Sequence, residues 1–221
     1  MARPPNPEAP QRLLEAARAC FAEVGVDAAR VQDIAERAGF SKAAFYLYFD
    51  SKEAVFARLI ARFFEEITAI TNERHRDFTR LLQRLGPCTA MDYANNTERL
   101  RAFAALDQQF SRRALRALWE NRDMAACVLE QTTGPRRALV DQFVEVLRST
   151  LSGRLREAVV LGIFRPDVDG DLVSDMIMGI WLQLGRRMVR LKHPPDIEQW
   201  ATALDRFVSE GMSGLSPQEE P

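Results

Sequence analysis

Cysteine is scarce: Cys20, Cys88 and Cys127 are the three in 221 residues. They form no C-x-x-C pair and no Cys/His cluster at metal-ligand spacing, which argues against a disulfide framework and against a zinc site. Charge of one sign is also lacking. The formal net charge is -1, so the chain-wide basic excess that marks many polyanion-binding proteins is absent. An anionic partner would have to be met by local geometry. The longest strongly apolar run, 176–184, is far below the roughly 20 residues that span a bilayer. The opening Met1-Ala-Arg-Pro-Pro-Asn-Pro has no apolar core of a signal peptide. Strand-like alternation is missing throughout. No nucleophile–base pair, metal cluster or phosphate loop is visible, and His75 and His193 lack catalytic neighbours. These absences name no catalytic residue, metal or cofactor, and point to a soluble, reduced, cytoplasmic protein with no membrane partner.

What the sequence does have is helical periodicity in a chain that is 47% hydrophobic, enough for a substantial buried core. The proline-rich residues 1–10 read as a disordered arm. From residue 11, Leu13, Leu14, Ala17, Phe21 and Val24 recur at helical spacing, and Gly25 stops the helix. Val31, Ile34, Ala35 and Ala38 mark a short second helix ending at Gly39, and residues 42–48 a third. Ser51 is an N-cap candidate for a fourth, carrying Val55, Leu59, Phe63 and Ile67. After the Gly86-Pro87 break, Thr97 caps a helix with Leu100, Phe103, Leu106 and Phe110, and 124–129 forms another. Two longer amphipathic segments follow, over 135–163 and 169–191, joined by Arg165-Pro166-Asp167. In the second, Leu172, Met176, Ile180, Leu184, Met188 and Leu191 share a stripe. A terminal helix bears Ile197, Trp200, Leu204 and Phe207, and 212–221 reads as a flexible tail.

The most informative stretch is Val31-Gln-Asp-Ile-Ala-Glu-Arg-Ala-Gly-Phe-Ser-Lys-Ala-Ala-Phe-Tyr-Leu-Tyr-Phe. Two short helices flank a tight Ala38-Gly39-Phe40-Ser41 turn, where Gly39 supplies the positive φ such a turn needs. Ala35 is small where the helices cross, Ile34, Phe40 and Phe45 fill the core between them, and Ser41 is placed to cap the third helix. That helix projects Lys42, Ala43, Ala44, Tyr46 and Tyr48 outward, the arrangement by which a recognition helix meets base edges. Two tyrosines bracketing Leu47 are hard to bury together, and their hydroxyls suit phosphate.

Three elements, Leu14-Glu-Ala-Ala-Arg-Ala-Cys-Phe-Ala-Glu-Val-Gly, Asp33-Ile-Ala-Glu-Arg-Ala-Gly-Phe-Ser-Lys and Phe45-Tyr-Leu-Tyr-Phe-Asp-Ser-Lys-Glu, agree in order and spacing with one family. Over 11–60 the chain resembles the tetracycline-repressor (TetR) family. The resemblance implies an all-α fold: a helix-turn-helix DNA-binding domain at 11–50, joined through a fourth helix to an effector-binding and dimerisation domain at 51–211. It implies that Lys42, Ala43, Ala44 and Tyr46 meet bases or backbone and that Gln32 reaches a base edge or phosphate. It implies phosphate contacts for Tyr48 and Lys52, the latter at the start of the fourth helix. Arg30 is a further phosphate candidate, and Ser41 completes the DNA-facing set. The chain departs from the family at Ala28-Ala29-Arg30, where a Thr or Ser is usual, and at Ala43-Ala44, where Gly-Thr is usual. Alanines offer only apolar contact, for example to a thymine methyl. In residues 1–53, seven basic residues face eight acidic ones, so DNA binding requires the acids to lie away from the reading face.

By the same resemblance, the helices at 135–163 and 169–191 pair with a second copy, and the middle helices enclose an effector cavity. Phe63, Phe103, Phe110, Trp119, Met124, Cys127, Met176 and Trp181 are its candidate lining, implying an apolar or aromatic ligand. Asp107, Gln108 and Gln183 are candidate polar anchors. The expectation is a sequence-specific regulator, a repressor that leaves a palindromic double-stranded operator when the effector binds. The alternative is a helical adaptor or small-molecule-binding protein without DNA binding, which the near-neutral first domain keeps open.

Overall fold

The computed structural model describes residues 6–88, 91–92, 95–130, 134–160, 167 and 169–212, and all the regular structure among them is helical. The chain divides into two compact units. Residues 1–65 and 121–143 make the first, and 66–120 with 144–221 make the second.

In the first unit, α1 (Ala9–Ala28) starts inside the stretch read as a disordered arm: Pro10 occupies its first turn and Ala9 is fully buried. Proline is tolerated there because the first N–H groups of a helix have no intrahelical partner. Gly25 breaks the helix with φ 78° and ψ 163°, and a last turn follows to Ala28. Next come α2 (Val31–Arg37), α3 (Lys42–Phe45) and the start of α4 (Lys52–Leu85). Leu13, Ala17, Ile34, Ala35, Phe45, Val55, Phe56 and Ile60 are completely buried, one apolar face from each helix. Burying each large side chain contributes roughly 1.5–3 kcal/mol. Phe21 meets Phe56 edge-on at 6.2 Å. The chain returns to this unit as α6 (Arg122–Glu130), which packs on α1. Arg18 fastens the two helices by a bidentate pair to Asp123, at 2.5 and 2.6 Å. The first ten residues of α7 (Gly134–Val160) also belong here, with Phe143 stacked on Phe64 at 4.9 Å.

The second unit contains the rest of α4 and α7, with α5 (Glu98–Glu120), α8 (Gly170–Arg190) and α9 (Ile197–Met212). Thr97 caps α5 through the Leu100 N–H, and Asp169 caps α8 through the N–H groups of Asp171 and Leu172. Ile70, Ala114 and Ala117 form a core cluster, against which Ile67, Phe110 and Trp181 pack. α9 lies on α5, tied by Ser111 Oγ donating to Asp205 and by the Arg112–Glu198 pair at 3.0 Å. Gly185 faces the Leu118 methyls, 3.7 Å from where a Cβ would stand. At the other end of α8, Gly170 sits so close to α7 that a Cβ would lie 2.9 Å from Arg156 Cγ.

The stripe expected on α8 holds toward its end and fails at its start. Met188 is fully buried and Ile180, Leu184 and Leu191 are half-buried, while Leu172 and Met176 are 59% and 54% exposed. The close approach at Gly170 and the fully buried Ser174 set the inward face, so the bulkier Leu172 and Met176 turn outward. The Arg165-Pro166 connection lies outside the described residues. Among the described residues no helix is long and apolar enough to cross a membrane.

Candidate nucleic-acid interface

The turn between α2 and α3 is fixed by its backbone. Phe40 N–H donates to the Ala35 carbonyl at 2.8 Å and Gly39 N–H to the Glu36 carbonyl at 2.9 Å. This pair of bonds is the Schellman motif, which places its next-to-last residue in the left-handed region; here that residue is Gly39, with φ 76°. Arg12 lies over the Phe40 ring at 5.1 Å, covering the turn from α1. Ser41 Oγ accepts the Ala44 N–H at 3.1 Å and so caps α3 as expected. The entry to α2 is not capped in this way. Arg30 holds the cap position with extended backbone and no side-chain bond, as the absent hydroxyl in Ala28-Ala29-Arg30 requires.

α3 is shorter than the sequence suggested. It ends at Phe45, and Leu47 and Tyr48 bond back only three residues, to Ala44 and Phe45. The cause is packing: Phe45 is fully buried and Phe49 closes on its ring at 5.9 Å, so the chain tightens to bring both aromatics inward. Lys42 and Ala43 are exposed, Ala44 is half-buried, and Tyr46 stands 49% exposed with its ring edge-on to Phe45. Leu47 is 80% exposed and extends this face, a residue that the helical pattern had not singled out. Arg30 and Gln32 are exposed on the α2 side, where Gln32 donates to Glu36. The structure thus brings Lys42, Ala43 and Tyr46 onto one open surface.

Tyr48 and Lys52 differ from the rest of the set. The Tyr48 hydroxyl pairs with the Asn6 backbone, and Lys52 Nζ donates to the carbonyls of Asp27 and Ala29 at 3.0 Å each. In the DNA-free chain their polar atoms already have protein partners. Several acids that trouble the charge balance are also engaged. Glu23 pairs with Arg37, whose hydrogen bond holds the Glu23 carboxyl below its usual range. Asp27 pairs with Arg136 of α7, with the same effect. Asp27 and Arg136 stand 109 positions apart, a separation at which no sequence pattern links them. Asp33, Glu36, Asp50 and Glu53 remain exposed.

The candidate effector residues are shared between the two units. Phe63, Met124 and Cys127 are buried in the first unit. Phe103, Phe110, Trp119, Met176 and Trp181 belong to the second. Phe103 meets Phe78 edge-on at 5.2 Å and Phe110 meets Trp181 at 6.2 Å. Met176 points to solvent rather than inward. Of the candidate anchors, Asp107 is held by Arg74 at 2.5 Å, while Gln183 is exposed. A hollow of about 310 Å3 opens between α4 and α5, lined by Glu66, Ala69, Ile70, Arg113, Arg116, Ala117 and Glu120. None of the eight candidates lines it. Burial and the nearby Asp92 push the Cys88 thiol up, against the thiolate that redox sensing needs. Among the described residues no group of three or more His, Cys, Asp or Glu is placed to hold a metal ion.

Two short helices joined by a Schellman turn, with an exposed weakly charged face, define a helix-turn-helix DNA-binding regulator. Residues 13–59 match the family model described as bacterial regulatory proteins, tetR family. The transcriptional repressor KstR2 of Mycobacterium tuberculosis is 30% identical over 170 residues, covering 75% of this chain and 74% of KstR2. Its solved structure superposes with a TM-score of 0.63 at 25% identity, covering 95% of this chain and 97% of that one. YdgC of Bacillus subtilis, an HTH-type transcriptional regulator, is 45% identical over 64 residues. That match spans 29% of this chain and only a third (33%) of YdgC. FadR of Bacillus subtilis, solved in complex with stearoyl-CoA, shares the fold, with a TM-score of 0.67 at 20% identity over 93% of this chain and 99% of that one. The chain belongs to the tetR family of bacterial regulatory proteins. It is a DNA-binding transcriptional regulator, and the adaptor alternative is not favoured.

Proposed function

We propose that this regulator is a repressor that acts in the cytoplasm as a homodimer on a palindromic operator and leaves it when a small apolar or aromatic effector binds. The observation that carries the DNA-docking part is the open surface of Lys42, Ala43 and Tyr46 beside the capped turn at Ser41. Ala44, Gln32 and Arg30 flank it. Lys42 and Arg30 supply charge to phosphate, while Ala43 and Tyr46 supply apolar and hydroxyl contacts to base edges. With few charged donors, readout rests on shape and thymine methyls more than on bidentate pairs.

The dimer reading is supported by an uncovered apolar stripe. Leu172, Met176, Leu182 and Val189 are exposed along α8, and no neighbour lies within 4 Å of where a Cβ on Gly179 would stand. Val146 and Val160 are exposed on α7, at 58% and 86%. Large apolar side chains left exposed on two neighbouring helices support an interaction face. Met176 accordingly moves from the effector set to the dimer face. A two-fold pair places two recognition surfaces about 34–36 Å apart, one DNA turn.

The effector reading draws on the aromatic interior around Phe103, Phe110 and Trp181 and on the ligands of relatives, such as the stearoyl-CoA bound to FadR. Functionally, residues 11–50 dock on DNA and 51–211 serve effector binding and dimerisation, with α4 carrying the chain from one role to the other. Selection of genomic fragments on the purified protein tests the whole. A recovered palindrome, protected over two half-sites one turn apart, is the expected result. Recovery of no preferred sequence refutes the operator reading.

A further inference from the structure

Tyr48 and Lys52 stand four positions apart, just before and at the start of α4, yet they bond to opposite ends of α1. Asn6 N–H donates to the Tyr48 hydroxyl at 3.0 Å, and the hydroxyl is 3.4 Å from the Asn6 carbonyl, to which it donates. Asn6 opens the turn that leads into α1: its carbonyl accepts from Ala9 N–H at 3.1 Å and its side chain from Glu8 N–H at 3.0 Å. At the far end, beyond the Gly25 break, Lys52 Nζ takes the carbonyls of Asp27 and Ala29. Carbonyls at a helix end have no N–H further along to bond, and a cation is their natural partner.

The lysine's position supports this assignment. Lys52 is the first residue of α4, the end at which a helix dipole disfavours positive charge. Its own helix gives no reason for a lysine, whereas the carbonyls closing α1 do. Between the fastened points lie α2, the Gly39 turn and α3.

We propose that Tyr48 and Lys52 are positioning residues: together they clamp the two ends of α1 and so fix the angle at which α2 and α3 meet DNA, instead of spending their polar groups on phosphate. The role in DNA binding rests on the operator reading above, but the clamp itself does not. The test uses the full chain with Tyr48→Phe, which keeps the ring, and Lys52→Met, which keeps the stem. Amide hydrogen exchange is measured without DNA, and affinity for the palindromic fragment recovered by selection is measured across a salt series.

The clamp predicts faster exchange near Glu8 and Ala9 in Tyr48→Phe, and from Ala29 into α2 in Lys52→Met. It predicts a loss of affinity of roughly fivefold in each, the scale of one lost hydrogen bond, with an unchanged salt slope. A direct phosphate contact by Lys52 instead flattens the slope of log K against log salt by about 0.9 and leaves exchange alone. That result overturns the proposal. So does unchanged exchange in both variants, and faster exchange with undiminished affinity overturns the positioning role. If the wild type selects no DNA, the operator reading fails, and the exchange data still decide the clamp.

Discussion

Two glycines shape the DNA-binding unit, and they should respond differently to the same substitutions. Gly39 is the left-handed residue of a Schellman motif, with φ 76°. Gly25 has φ 78° with ψ 163°, a region essentially reserved for glycine. A Cβ on Gly25 meets nothing within 4 Å, so the cost of Gly25→Ala is backbone strain alone, about 1–3 kcal/mol. A Cβ on Gly39 would lie 2.9 Å from Arg12 Nη2, the mobile tip of a long side chain that can swing away and give up its place over Phe40. The remaining cost of Gly39→Ala is left-handed backbone, about 1–2 kcal/mol. Asparagine separates the two sites, because its short polar side chain tolerates the left-handed region but gains nothing at ψ near 163°. Gly39→Asn should recover most of the loss, and Gly25→Asn none. For a chain of this size each kcal/mol moves a thermal midpoint by roughly 2–4 °C, so circular dichroism melts resolve the four variants. The reasoning fails if Gly25→Asn melts with the wild type, or if both alanine variants stay within about 1 °C of it.

Met176→Glu and Leu172→Glu place charge on the exposed stripe of α8. Sedimentation should find monomers, with little change in the helical circular dichroism, whereas a dimer that persists locates the interface elsewhere. The Arg18–Asp123 pair is half-buried and bidentate, so Asp123→Asn should cost about 1 kcal/mol or somewhat more. A double-mutant cycle with Arg18→Gln reads the coupling, and additive losses would deny it. His75 gives a pH signature. Burial first, then the Arg154 guanidinium, hold its pKa below the usual value; Glu157 opposes them, and Arg74 adds a smaller push downward. Its folded pKa lies under its unfolded one, near about 6.5, so between them the unfolded state binds more protons. The His75 contribution is therefore full above about pH 6.5 and lost as pH falls toward the folded pKa. His75→Gln should flatten the fall in melting point as pH drops below about 6.5; an unchanged profile refutes this.

How much of this was legible in the sequence depended on the range of the interaction. Gly39, Ser41, Ser51, Thr97 and Asp169 act on amides two to five residues away, and their positions locate helix ends within a residue or two. Ile34, Ala35 and Phe45 sit at helical spacing and are indeed buried. The errors came where a distant partner decides. α3 stops early because Phe45 and Phe49 both turn to the core, and periodicity counts aromatics without saying which face wins. Leu172 and Met176 share the apolar pattern of the stripe, but at that end of α8 Gly170 sits against α7 and Ser174 is the buried residue, so those two face outward. A small residue at a helix contact leaves no hydropathy signal. Tyr48, Lys52 and Asp27 show the same limit in the polar groups. Their partners in the free chain, Asn6, a helix end and Arg136, lie 42, 25 and 109 positions away, beyond the range of any local pattern. A lysine placed against the dipole of its own helix is nevertheless a local anomaly readable from the sequence once Ser51 is taken as the cap. Such a misplaced charge implies an acceptor from elsewhere, and the choice between DNA and the end of α1 is the one that hydrogen exchange without DNA makes.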